Sequence, residues 1–237
     1  MAEKASQDAK DSISVPWSDA IRFVRQLSHD LRNDLNAIEL QSAYIAELDE
    51  DEKLQGEIKR LREMVSGLAS ALQRLSRDVG EVKPTFISYR ASDLMEDLRR
   101  KIDGDLPKKS SEIDWEIQPG NAMLNVDPQL LQEVFTELFA NAFRHDRGKG
   151  PLLAKTKIEN NRFLFTLHEP KDRFELATQD WGREPIRKVT QRHYGLGLNR
   201  VRAIVDAHGG QLHAQYHPNV STLITTLAFP VASEGSD

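Results

Sequence analysis

The 237-residue sequence contains no cysteine, and it has no apolar run long enough to cross a membrane. The absence of cysteine excludes a disulfide framework, thiol catalysis and thiolate metal ligands, and it suits a reducing compartment. The polar residues 1–14 lack the apolar stretch of a secretory signal. We therefore predict a cytoplasmic protein that does not insert into a membrane.

The sequence also lacks the excess of positive charge that is typical of nucleic-acid-binding proteins. It has 37 acidic residues against 32 lysines and arginines, for a formal net charge of -5. Hydrophobic residues make up 39% and charged residues 29%, which is typical of a globular chain. We therefore expect a folded protein without a nucleic-acid partner.

Two apolar stripes with helical spacing fill residues 16–80, after a tail over residues 1–15. Pro16 suits the first turn of a helix, and the acidic residues 49–52 separate the stripes. Two long amphipathic helices joined by a short turn form an antiparallel hairpin. A second copy would bury its exposed apolar surface in a four-helix bundle, so we predict a homodimer. The stripe positions are Ile21, Val24, Leu27, Leu31, Leu35, Ile38, Ser42, Ile45 and Leu48, then Leu54, Ile58, Leu61, Val65, Leu68, Leu72, Leu75 and Val79.

A second domain is predicted over residues 84–231, with a short tail at 232–237. Mixed strands, hairpins and helices indicate an α+β sandwich. Residues 172–194 have little periodicity and are expected to form a long functional loop. Strands are predicted at 85–89, 112–117, 122–126, 152–158, 162–168, 211–216 and 222–229, a turn at Asn160 and Asn161, and helices at 91–102, 128–144 and 198–207.

One histidine of the first helix stands off the apolar stripe. His29 should point outward, and an exposed imidazole is nucleophilic near neutral pH. Asp30 can accept a proton from one ring nitrogen and so orient the other for attack. Asn33, four residues on, lies on the same helical face. A single histidine on a helix is usually an ordinary surface residue, so this pattern needs its context.

Two further patterns suit a phosphate ligand. Glu137 and Asn141 are one helical turn apart, and carboxylate and amide oxygens are ligands that Mg²⁺ accepts when it carries phosphate. A Gly-x-Gly segment then opens a helix, where backbone N–H groups can approach phosphate at the positive end of the helix dipole. Its residues are Gly195, Leu196, Gly197 and Leu198.

The first pattern resembles the phosphoacceptor box of sensor histidine kinases, in which a histidine on a dimerising hairpin is followed by an acidic residue. The quartet Asp30-Leu31-Arg32-Asn33 resembles the acidic-x-x-Asn pattern that supports dephosphorylation of the partner response regulator. This resemblance implies that His29 is the phosphoacceptor and that an aspartate of a receiver domain is the next acceptor. Input would come from a separate sensor protein or from sequence upstream.

The later patterns resemble the ATP-binding fold shared by histidine kinases, gyrases and Hsp90-type chaperones. The resemblance implies that ATP and Mg²⁺ bind between the helix that carries Glu137 and Asn141 and the Gly-x-Gly segment. It assigns Asn141 as the Mg²⁺ ligand, Glu137 as its acidic partner and Arg144 to the phosphates. The long loop before the Gly-x-Gly segment would be the ATP lid.

The chain departs from this family at one motif. The family's Asp-x-Gly-x-Gly sequence, whose aspartate reads the adenine amino group and whose glycines make room for the base, has no counterpart. The corresponding residues 167–173 contain no glycine, and Glu169 stands in place of the aspartate. For the aromatic lid motif, the nearest candidates are Phe174 and the pair Trp181-Gly182.

Three functions follow from these observations. The first is a histidine kinase that autophosphorylates His29 from ATP and passes the phosphoryl group to a response regulator, with phosphatase activity in addition. The second is an ATP-independent histidine phosphotransfer protein with a degenerate ATP domain; the missing glycine motif favours it and the intact Gly-x-Gly segment opposes it. The third is a module that binds a regulator without phosphotransfer.

Overall fold

The computed structural model describes residues 17–48, 51–118, 120–144, 147–174, 178 and 196–232. The predicted tail at 1–15, most of the tail at 232–237 and most of the predicted lid lie outside the described residues. The chain divides into two compact units, Met1–Gly80 and Glu81–Asp237. Each unit has its own fold.

The first unit is a pair of long helices, α1 (Trp17–Leu48) and α2 (Glu52–Asp78). Asp51 caps α2 by accepting a hydrogen bond from the backbone N–H of Lys53 at 2.8 Å. Along the apolar stripes, Ile58 and Val65 of α2 are buried, and so is Ser42 of α1. The buried Ser42 hydroxyl donates to the Glu39 carbonyl at 2.8 Å, which satisfies it within its own helix.

The helical pair leaves large hydrophobic side chains exposed beside its packed face. Periodicity places four of those on α1 on one stripe, at intervals of four or seven residues. Such a continuous apolar surface is unusual on a monomeric protein. Its members are Leu27, Leu31, Ile38 and Ile45 on α1, with Leu54, Leu61, Met64 and Leu68 on α2.

The second unit is an α+β sandwich, as predicted. Its elements are β1 (Ile87–Arg90), α3 (Ala91–Asp105), β2 (Ile113–Ile117), β3 (Met123–Val126), α4 (Pro128–Arg144), β4 (Leu152–Glu159), β5 (Arg162–Pro170), α5 (Gly197–Ala207), β6 (Gln211–His217) and β7 (Thr222–Pro230).

The main sheet has five strands in the order β2-β4-β5-β7-β6. β2 runs parallel to β4, and the other neighbours are antiparallel. β1 and β3 form a separate antiparallel pair. The β4–β5 turn consists of Asn160 and Asn161, both with positive φ, as a two-residue type I′ hairpin requires.

The core lies between the main sheet and the helices of this unit. On β5 the side chains alternate, and Phe163, Phe165 and Leu167 point into the core. Phe135 of α4 meets Phe165 with ring centroids 4.8 Å apart. Buried residues of α3, α4 and α5 belong to the same cluster, so one core holds the sheet and all three helices together.

Some boundaries differ from those predicted, for local reasons. α3 continues to Asp105 because Ile102 is buried and the helix turn closes there, with the Leu106 N–H donating to the Ile102 carbonyl. β1 begins two residues late because the backbone N–H of Thr85 donates to the Asp127 carboxylate instead of a strand. β5 extends to Pro170, so Glu169 lies within the sheet opposite Leu223.

Asp127 anchors the start of α4. Its carboxylate accepts from the backbone N–H groups of Gln129 and Leu130 at 3.0 and 3.1 Å, and from that of Thr85 at 2.9 Å. Its own backbone N–H donates to Nε2 of the buried His208 at 3.0 Å. Partial burial acts to raise the pKa of Asp127, but the backbone donors outweigh it and hold the pKa below its usual value.

We expect Asp127→Ala to lower the free energy of unfolding by about 1–2 kcal/mol at pH 7, because a helix cap and a link to residue 85 are lost. Since the pKa of Asp127 is depressed on folding, its charge stabilises the protein above pH 4, and this contribution is lost as the pH falls further. Urea unfolding at pH 7 and pH 3 measures both effects. Asp127→Asn is the matched control, and a wild-type advantage over it that stayed constant down to pH 3 would contradict the prediction.

Candidate phosphotransfer and nucleotide sites

His29 lies on the solvent face of α1, as predicted. Its side chain is 66% exposed, and its Nδ1 lies 3.2 Å from the Asp30 carboxylate. Asn33 Nδ2 approaches the same nitrogen at 3.5 Å, the outer limit of a hydrogen bond. Within the described residues, no hydrogen bond involves Nε2 of His29. One ring nitrogen is therefore engaged and the other faces solvent.

The Asp30 carboxylate decides which nitrogen carries the proton. Gln26 Nε2 donates to it at 2.8 Å, and this bond, followed by the one with His29, holds the pKa of Asp30 below its usual value. An ionised carboxylate only accepts, so Nδ1 of His29 must be the N–H donor. The lone pair of the neutral ring is then on Nε2, which makes this exposed nitrogen the nucleophile.

The second candidate site lies where α4 meets the start of α5. A Cβ placed on Gly197 would lie 2.2 Å from Oε1 and 2.7 Å from Cδ of Glu137. No side chain fits there without moving that carboxylate, so glycine is required for this approach. Asn141 lies one turn further along α4, and its Oδ1 accepts from Arg144 at 3.2 Å. The structure thus brings Glu137 and Gly197 together, one helical turn before Asn141.

The other members of the Gly-x-Gly segment have different surroundings. Leu196 is buried and Leu198 packs against the core, so their side chains serve packing, and only their backbone can face a ligand. Gly195 lies outside the described residues, as do the lid candidates Trp181 and Gly182.

An ion pair that the sequence analysis missed supports this junction. Arg200 of α5 donates from Nε to Glu133 of α4 at 3.1 Å, and the Arg200 side chain is only 9% exposed. Glu133 lies one turn before Glu137, and Arg200 lies one turn after Gly197. The pair therefore holds the two helices in the register that sets Gly197 against Glu137. The four-residue spacing of Glu133 and Glu137 was the available signal.

Glu169 points from β5 to the core side of the sheet, in the row of Phe163, Phe165 and Leu167. Its Oε2 lies 2.6 Å from Nζ of Lys171, and the two side chains are 9% and 5% exposed. Burial raises the pKa of Glu169 above its usual value, although Lys171 and Arg147 act in the opposite direction. Glu169 was predicted from the sequence as a site residue, but its lysine partner was not.

No helix within the described ranges is both long enough and apolar enough to cross a membrane. The same described residues contain no group of three or more histidine, aspartate or glutamate side chains placed to hold a metal ion.

Comparison with known proteins matches most of the second unit to a family of ATPases. Residues 126–233 match the family described as "Histidine kinase-, DNA gyrase B-, and HSP90-like ATPase". The chain is 25% identical over 226 residues to the sensor histidine kinase ZraS of Klebsiella oxytoca, covering 89% of this chain and 46% of that protein. It is also 25% identical over 207 residues to the adaptive-response sensory kinase SasA of Prochlorococcus marinus strain MIT 9301, covering 81% and 53%.

Solved structures of similar fold include full-length ShkA in complex with AMPPNP, with a TM-score of 0.68 and 17% identity, over 91% of this chain and 47% of ShkA. The Acinetobacter baumannii histidine kinase AdeS matches with a TM-score of 0.51 and 19% identity, over 86% and 98%. The chain spans about half the length of the curated relatives described above.

Gly197→Ala tests the approach of α5 to Glu137. The added methyl group must displace the Glu137 carboxylate, which is the flexible end of a side chain, so we expect little loss of stability. We expect binding of a Mg²⁺–ATP analogue to weaken about tenfold or more, measured by calorimetry. Gly104→Ala in α3 is the control, because a Cβ there meets nothing within 4 Å. Equal affinities of the two variants would show that the contact does not matter for the ligand.

Proposed function

We propose that this protein is a histidine kinase, because residues 126–233 match the histidine kinase-, DNA gyrase B- and HSP90-like ATPase family and most of the chain is similar to sensor histidine kinases. It transfers the γ-phosphoryl group of ATP to His29 and then to an aspartate of a response-regulator receiver domain. We place it in the cytoplasm, because a chain without cysteine suits a reducing compartment.

The state of His29 is the observation that carries this proposal. Asp30 fixes the proton on Nδ1 and leaves Nε2 exposed with its lone pair, as an in-line attack on phosphorus requires. After transfer, the same carboxylate stabilises the positive charge that the phosphorylated ring carries when protonated. Asn33 lies close enough to orient a water or a phosphoryl oxygen, which suits the dephosphorylation of a receiver domain.

The junction of α4 and α5 is the proposed binding site for the triphosphate. ATP would supply the phosphoryl group and Mg²⁺ the neutralising charge. Asn141 is the proposed Mg²⁺ ligand, with Glu137 as its acidic partner, and exposed Arg144 would contact phosphate. Gly197 opens α5 beside Glu137, and a helix N-terminus attracts phosphate oxygens through its backbone N–H groups and its dipole. The AMPPNP complex of ShkA, which has a similar fold, supports this assignment.

We also propose that the protein is a homodimer. The exposed apolar stripe of the helical pair is continuous, and burying large aliphatic side chains contributes about 1.5–3 kcal/mol for each one fully removed from water. A second copy offers the same stripe, so that two hairpins form a four-helix bundle with apolar positions in its core.

A specific observation favours a second function. The buried pair of Glu169 and Lys171 stands where the family places a free aspartate and glycines. If this substitution abolished nucleotide binding, the chain would serve as an ATP-independent phosphotransfer protein that loads His29 from a phosphorylated receiver domain. The same histidine would act in both cases.

The kinase proposal predicts that the purified full chain incubated with labelled ATP and Mg²⁺ acquires phosphate that survives alkali and is lost in acid, because a phosphoramidate bond has this lability. His29→Gln should remove the label, and Asp30→Asn should slow labelling by about 10²-fold, since general-base positioning is lost. Label on His29→Gln would refute the assignment of the acceptor. Absence of label from both proteins, followed by loading from a phosphorylated receiver, would establish the second function instead.

The dimer predicts that one charge on the apolar stripe separates the protomers. Ile38→Glu places a carboxylate in the proposed bundle core. We expect this change to raise the dissociation constant of the dimer about 10²-fold or more, as measured by sedimentation. Leu40→Glu is the matched control, because Leu40 is 74% exposed and helical periodicity places it on the His29 face, away from the stripe. A monomeric wild type, or equal dissociation of both variants, would contradict the proposed interface.

A further inference from the structure

We propose that the end of β5 does not read the base of the nucleotide and that the described residues bind it through its phosphates, so that the substrate class is nucleoside triphosphates irrespective of base. This inference rests on the proposed kinase function. It follows from the carboxyl end of β5, where Glu169 and Lys171 form a buried ion pair.

The Glu169 carboxylate already forms an ion pair with Lys171. At 2.6 Å, its bond to the Lys171 ammonium joins two ionised groups, whereas a bond from the amino group of a base would have a neutral donor and would leave the ammonium buried without its carboxylate. Turning the carboxylate towards a base would separate the two buried charges. Burial already raises the pKa of Glu169, which shows how poorly this environment supports the charge without its partner.

The backbone beside the pair is fixed by several hydrogen bonds to neighbouring segments. The Gly148 N–H donates to the Pro170 carbonyl at 2.8 Å, and a Cβ on Gly148 would lie 3.1 Å from the Pro170 carbonyl carbon. On the other side, the Lys171 N–H donates to the Ser221 carbonyl at 2.7 Å. The Tyr216 hydroxyl donates to the Lys171 carbonyl at 3.0 Å. Residues 170–171 are therefore held from two directions by neighbouring loops.

The proposed phosphate-binding residues, in contrast to those at the end of β5, offer groups that can bind a ligand. Gly197 approaches Glu137 without a side chain, and Asn141 and Arg144 lie along the same end of α4. Backbone N–H groups and a Mg²⁺ ion recognise phosphate oxygens, which are the same in every nucleotide. Binding energy from these groups alone carries no discrimination between bases.

Calorimetric titration of the full wild-type chain with AMPPNP, GMPPNP and inorganic tripolyphosphate, each with Mg²⁺, tests this inference. We expect the three dissociation constants to agree within about threefold, less than the tenfold that corresponds to about 1.4 kcal/mol. AMPPNP binding at least about tenfold tighter than both other ligands would overturn the inference and leave the kinase proposal standing. Absence of binding for all three ligands would overturn both.

Two sets of substitutions make the comparison sharper. Glu169→Gln with Lys171→Met replaces the ion pair by neutral side chains of similar size, and all three affinities should stay unchanged; a selective loss of AMPPNP affinity would show that Glu169 reads adenine. Glu169→Asp with Lys171→Gly and Arg173→Gly restores the family's motif, and a preference for AMPPNP of about tenfold should then appear. Thermal unfolding of each variant verifies that it is folded before the titration.

Discussion

The packing of α4 on the main sheet is the contact on which the second unit depends. Phe135 and Phe139 of this helix lie fully buried against Phe165 of β5. Because that face is committed to the core, the outer face of the helix is free to carry Glu133 and Glu137 towards α5. Asp127 fixes the start of the helix, and hence the position of each later turn along the helix axis. The position of the candidate phosphate site is therefore a consequence of core packing.

The same packing accounts for the contrast between the start of α5 and the end of β5. At α5 the close approach of a helix start needs an absence of side chain, and Gly197 provides it. At the end of β5 the row of buried positions continues one step beyond Leu167, and the next position holds a carboxylate. A buried carboxylate needs a partner, and Lys171 supplies it within the same segment. The missing glycines and the ion pair are thus one structural change rather than two.

Periodicity predicted most of the fold, because helices and strands with one buried face have apolar residues at a regular spacing in the sequence. The two long helices, α4 and the turn at Asn160 and Asn161 are examples. Features that depend on distant residues were not predictable in this way. The Glu133–Arg200 pair joins residues far apart in the chain, and the parallel pairing of β2 with β4 is also long-range. Lys171 was missed because a lysine in sequence is expected at the surface, whereas tertiary packing buries it.

The two proposed functions require the same acceptor and differ only in the donor. His29 is oriented by its immediate neighbours, Asp30 and, through it, Gln26, all on one helix, so its nucleophilicity needs no contribution from the second unit. The proposed donor site, by contrast, is assembled from separate elements, so the acceptor and the donor site depend on different parts of the chain. Phosphoryl transfer through His29 is therefore common to both proposals, whichever donor loads the histidine.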